Sequence, residues 1–198
     1  MPQTVGEQAR QIFLAKLQDH YSELDVSIRH GRYEPGSGFT FEDLEFRDPK
    51  SMVGSQPRTI AKVDRLTVLT DLKLNKVVES ENPFLTKQIV IDGATVEIWS
   101  TDNHWSGETC DWNQGWSIEK LLPVPEFGPV CPRMNIRDVK LNLFADSTAK
   151  RPLRCDVRHV NVLASHQPDG TLVRQIQAQA SGESAERITV RSLSVGDR

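Results

Sequence analysis

One apolar pattern constrains this chain more than any other feature: apolar-x-apolar-x-x-apolar-x-apolar, repeated along most of its length. It reads as Phe39, Phe41, Leu44, Phe46, then Ala61, Val63, Leu66, Val68, then Met134, Ile136, Val139, Leu141. It returns as Cys155, Val157, Val160, Val162 and as Ile188, Val190, Leu193, Val195. Ile89, Ile91, Val96, Ile98 form a stretched copy around Asp92-Gly93-Ala94. The copies are irregularly spaced, so they describe a recurring structural unit and not a solenoid of fixed period.

Alternation of period 2 puts each apolar pair on one face of a strand, and a two-residue gap reverses that face unless the backbone restores the phase. Two readings follow. Each copy is a long strand with a central bulge, or each gap is a tight turn between two short strands. In both, the opposite face is polar: Thr40, Glu42 and Glu45, Lys62, Asp64 and Thr67, Asn135, Arg137, Lys140 and Asn142. That is the signature of an antiparallel sheet with one face in water.

Ahead of the β region, Ile12, Phe13, Lys16, Leu17, Tyr21 and Leu24 follow a 3.6-residue period uninterrupted by Gly or Pro, which predicts a helix from about Val5 to Ser22. Pro35-Gly36-Ser37-Gly38 predicts the turn between the first two strands. The expected fold is mainly β, with an N-terminal helical segment (1–24) followed by an antiparallel sheet segment (25–198). One helix is little cover for such a sheet. The sheet therefore closes as a β-sandwich, packs against another part of a longer protein, or forms a groove whose apolar inside holds a ligand.

Composition narrows the function classes. The chain has 198 residues, 24 Lys plus Arg against 27 Asp plus Glu, and a net charge of -3, with no basic stripe of the kind that engages phosphates. Nucleic acid is a poor partner for it. No run approaches the roughly 18 apolar residues of a membrane-spanning helix, and the opening residues lack the pattern of a signal peptide. Cys110, Cys131 and Cys155 do not have zinc-site spacing, and a Cys110–Cys131 bridge is left open by an odd cysteine count.

Residues 99–116 hold all four tryptophans together with Asp102, His104, Glu108, Cys110 and Asp111. A Cys-His-Asp nucleophile set can be drawn from them, but a loop anchored by indole rings explains the same residues more simply. The remaining histidines are scattered, and phosphate-loop, nucleophile-elbow and zinc-protease motifs are missing. No catalytic residue, metal or cofactor is expected.

Several stretches, taken in order, resemble the N-terminal region of the bacterial AsmA-like proteins, which include the TamB-type repeating β-groove proteins of the cell envelope. The first runs from Ala9–Leu17 through Leu24-Asp25-Val26-Ser27-Ile28 to Gly38–Pro49, similar to the family's helix, strand and strand-then-Asp-Pro opening. The second is Ile60–Val68, followed by Ile89–Ile98, and the third is Gly115–Pro123. The family usually carries a membrane-spanning helix just before this region and is much longer. The resemblance therefore implies an elongated, curved, groove-like antiparallel sheet, a segment of a longer envelope protein on the periplasmic side of the inner membrane, whose apolar inner face carries phospholipid acyl chains without covalent chemistry. It implies lipid-lining roles for Phe39, Phe41, Val63, Leu66, Ile89, Ile91, Val96, Ile98, Ile136, Val139, Val157 and Val160, and exposed strand edges that can take a partner.

Overall fold

In a computed structural model, residues 4–70, 86–99, 121, 132–144, 153–166, 172–180 and 187–194 are described, with side chains described as far as residue 144 apart from 86 and 87. They form one helix, α1 (Val5–His20), and eight strands: β1 (Asp25–Glu34), β2 (Gly38–Val53), β3 (Gln56–Thr70), β4 (Thr86–Trp99), β5 (Arg133–Phe144), β6 (Leu153–His166), β7 (Leu172–Ala180) and β8 (Arg187–Ser194). The strands make one sheet in the order β1 to β8, and the two end strands do not pair with each other. The described strands are thus neither a closed barrel nor the two facing sheets of the sandwich alternative.

α1 begins where the sequence places it. Thr4 is the N-cap, its Oγ1 accepting from the Glu7 amide at 3.3 Å, and Tyr21 closes the helix by donating its amide to the Leu17 carbonyl at 2.8 Å. The helix ends at His20, two residues before the expected Ser22. Its buried stripe is Gly6, Ala9, Phe13 and Leu17, one residue per turn, whereas Ile12 from the expected apolar set is 39% exposed.

The repeated pattern proves to be the register of the sheet. Tyr33, Phe39, Val68, Ile89, Met134, Val162, Ile176 and Val190 are successive neighbours in one row across all eight strands. A second row is Gly31, Phe41, Leu66, Ile91, Ile136, Val160, Ala178, Ile188, and a third is Ile28, Leu44, Val63, Ala94, Val139, Val157, Ala180. Val26, Phe46, Ala61, Val96, Leu141 and Cys155 form the fourth. Ala94 fills the third slot of β4, so the copy that looked stretched is regular, with Ile98 as an extra apolar position.

Between the second and third rows the ladder is interrupted on every strand from β1 to β6, at Arg29, Asp43, Asp64, Gly93, Asp138 and Arg158. Asp43 and Asp138 have φ of 54° and Gly93 has φ of 73°. On β2, β4 and β5 this left-handed residue takes up the extra step and returns the following side chains to the same face, so the two-residue gap is an irregular step inside a continuous strand and not a turn. Asp is among the few residues with a side chain that visits this region readily. From β1 to β6 neighbouring strands are interrupted at matching positions, so the register is the same on both sides of the seam; at β6–β7, where β7 is uninterrupted, it shifts by one across Arg158.

The expectation of an antiparallel sheet holds for six of the seven pairings; β4 and β5 are parallel. Segment 100–132 lies between them, well above the dozen or so residues that a parallel crossover requires. The sheet is therefore two antiparallel meanders, β1–β4 and β5–β8, joined side by side.

Candidate functional site

The apolar rows make one face of the sheet, and they differ in how they are covered. α1 lies over β1 and β2. Phe13 stacks on Phe41 with ring centroids 4.6 Å apart and planes 8° from parallel, and Tyr33 packs on Phe39 at 5.0 Å. Phe13, Phe39 and Phe41 are each 0% exposed. Gly6 and Gly31 let the two backbones meet, since a Cβ on Gly6 would stand 2.5 Å from the Gly31 carbonyl oxygen and 2.7 Å from the Arg32 Cα. Tyr21, just past the helix, packs edge-on against Phe46 and donates its hydroxyl to the Leu121 carbonyl at 3.4 Å. Burial pushes its phenol up to about 12.

Away from the helix the cover thins. Val63, Leu66, Ile89, Ile98 and Val139 are buried, whereas Ile91, Val96 and Ile136 are half-buried, as are Met134 and Leu141 beside them. Val157 and Val160 continue the same rows on β6 by backbone register; their side chains lie outside the described residues. The structure therefore sets eleven of the twelve sequence-nominated positions in the four rows, with Ile98 beyond the last of them on β4, but it divides them: Phe39 and Phe41 are enclosed by the chain's own helix, and the half-buried ones gather on β4 and β5.

The face ends in charge, which the apolar pattern does not signal. Asp48 follows Phe46 on the same side of β2 and is 2% exposed; its Oδ1 accepts the Lys50 amide at 3.0 Å. Its register partner on β3 is Arg58, whose guanidinium carbon lies 4.6 Å from the centre of the Trp99 ring. Burial pushes the Glu97 carboxyl up from the usual carboxylate range, with the Arg58 charge acting against the shift. Trp99 is therefore the buried end of β4, not a surface anchor of a loop. The Asp48-Pro49 pair was legible as a motif, but nothing in the sequence marked the carboxylate as buried.

The other face is laced with ion pairs. Arg32 meets Glu42 at 2.6 Å, Arg47 meets Glu45 at 2.7 Å, Arg29 meets Asp43 at 3.6 Å and Arg137 meets Asp92 at 3.7 Å. Arg32 holds the Glu42 carboxyl below the usual range, and Arg47 with the Thr59 hydroxyl does the same for Glu45. Two shallow depressions on this side are lined by Ser27, Arg29, Asp43, Glu45 and Lys62, and by Glu42, Asp64, Arg65 and Asp92. These charges are largely solvated and each pair contributes little, so this face specifies orientation and solubility more than stability.

Among the described residues no group of three or more His, Cys, Asp or Glu is placed to hold a metal ion, and no helix is long and apolar enough to cross a membrane. His104, Cys110 and the other residues of the imagined nucleophile set lie outside the described residues, as do Cys131 and the Gly115–Pro123 stretch apart from Leu121. Comparison with protein-family models, with curated proteins and with solved structures finds no match for this chain.

Proposed function

We propose that the chain is a non-enzymatic lipid-binding segment whose apolar sheet face takes phospholipid acyl chains over β4 and β5. The observation that carries this reading is the change in cover along unbroken apolar rows, from enclosed at Phe39 and Phe41 to half-buried at Ile91, Val96 and Ile136. Contact between an acyl chain and such side chains is favourable by about 25 cal/mol per Å² of apolar surface removed from water, so reversible holding needs no polar recognition. Ile91, Val96 and Ile136 form the proposed contact around buried Val139, with Val157 and Val160 extending it; Phe39 and Phe41 act as the packed support beneath the helix. The resemblance to the AsmA-like proteins supports an envelope setting on the periplasmic side of the inner membrane, with lipid passage as the role.

Native mass spectrometry of the purified chain, with lipid extraction of the same sample, tests this. Near-stoichiometric phospholipid that is lost on Ile91→Asp or Ile136→Asp, with the β spectrum retained, is the expected result. A second reading, a structural or interaction domain with a self-buried apolar face, draws on the complete burial of Phe39, Phe41, Val68 and Ile89. A lipid-free mass with one sharp unfolding transition favours that reading and overturns the first.

A further inference from the structure

The end strand β1 has a single strand neighbour, β2, among the described residues, so one side of its backbone faces away from the sheet. Unpaired strand edges recruit other strands unless something blocks them. Here side chains of α1 occupy the backbone. Arg10 Nη1 donates to the Ile28 carbonyl at 2.8 Å, and Gln18 Nε2 donates to the Val26 carbonyl at 3.3 Å. Gln18 is an exposed residue and its bond to Val26 is half-buried. The Arg10 guanidinium is aimed by two further bonds to the Glu7 carboxylate, and the Gly6–Gly31 approach fixes the height of the helix above the strand.

Val26 and Ile28 are two residues apart, so in a strand their carbonyls point to the same side. In an antiparallel pairing of β1 with β1 of a second copy, two-fold about Ser27, these two residues face each other and their carbonyls accept the inter-strand bonds. The same register sets Asp25 opposite the second copy's Arg29, both exposed, and sets Val26 against Ile28 on the apolar side. The edge is self-complementary in charge and hydropathy. We propose that α1 is an edge lock: Arg10 and Gln18 hold the backbone acceptors through which β1 would otherwise pair with a second copy of this chain about Ser27. The proposal does not depend on lipid binding.

In that register the two Ser27 side chains form a close, non-hydrogen-bonded pair within reach of a disulfide once both are cysteine. The test compares Ser27→Cys in the full chain with Ser27→Cys carrying Arg10→Met and Gln18→Ala, under mild oxidation, with the position-27 cross-link mapped by peptide mass and the mass in solution read by light scattering. The lock-released chain is expected to cross-link about tenfold faster and to double in mass, from the loss of two ordinary hydrogen bonds that competed with pairing. Adding Asp25→Lys to it, which sets two cations face to face across the dimer, is expected to return the rate to that of the locked chain. Equal rates with and without the lock overturn the proposal, as does a faster rate indifferent to Asp25→Lys or a dimer without the position-27 link. If the combined variant loses its β spectrum, Gln18→Ala alone decides: an increase of about threefold supports the lock, and an unchanged rate refutes it.

Discussion

The helix-covered end of the sheet and its β4–β5 region carry the same apolar pattern and do different things with it. At β1 and β2 the pattern contributes aromatic side chains, and α1 supplies Phe13 to stack on them, so a dry core forms from local parts of the chain. At β4 and β5 the same slots carry no aromatic ring, and Ile91, Val96, Met134, Ile136 and Leu141 are half-buried there beside buried Ile89, Ala94 and Val139. Hydrophobic patterning thus fixes which face is apolar, while the burial that stabilises it depends on what is laid over that face.

This contrast predicts its own largest test. Phe41→Ala removes a ring enclosed between helix and sheet and is expected to cost about 3–5 kcal/mol in denaturant unfolding, whereas Ile136→Ala, at a half-buried slot in the same row, is expected to cost about 2 kcal/mol or less. Equal losses would erase the distinction between the two regions. Next in size is Gly6→Ala, where the new methyl meets the backbone of β1 and the helix must lift; a loss of about 1–3 kcal/mol is expected, with the Phe13–Phe41 contact weakened and the β4–β5 region undisturbed by hydrogen exchange.

The seam sharpens the comparison because it crosses both regions. Asp43→Val forces a β-branched side chain into a left-handed backbone and is expected to cost about 1–3 kcal/mol, while Asp43→Gly, which relieves the same constraint and gives up only the 3.6 Å contact with exposed Arg29, is expected to stay within about 0.5 kcal/mol of the parent. Smallest is a pH effect at the covered end. The Tyr21 phenol rises from 10.0 to about 12 on folding, so the folded chain holds this proton more tightly than the unfolded one. The contribution is complete below pH 10.0 and is lost as pH rises through about 12. Tyr21→Phe should flatten that part of the stability curve, and ultraviolet absorbance of the phenolate checks the titration directly.

Much of the fold was legible because its signals are local. The period of 3.6 from Phe13 to Leu17, the Pro-Gly turn at residues 35–38 and the alternation of Phe39, Phe41, Leu44 and Phe46 each follow from the geometry of a single element. The seam was legible as a gap, but its conformation was not. Asp43 and Asp138 resemble any other polar residue between two apolar ones, and only the pairing of neighbouring strands shows that a left-handed step there keeps all rows aligned.

The candidate site was legible as a set of positions and not as a distribution of cover. That Phe39 and Phe41 lie sealed under α1 depends on the angle at which the helix returns across β1, and the Gly6–Gly31 contact that sets it joins residues far apart in the chain. The buried Asp48 escaped notice for a similar reason, since a carboxylate inside an apolar face costs too much to be expected without knowing its surroundings.

What the sequence determined by itself is the apolar face and the strand units, because side-chain alternation is a property of the backbone at each residue. What only the tertiary structure decided is the parallel junction of β4 with β5, the part of the face that the helix covers and the occupation of the β1 edge by Arg10 and Gln18. Those depend on contacts between elements distant in sequence, whose free energies are settled by packing and by the pairing of backbone groups, neither of which is written in any one stretch of residues.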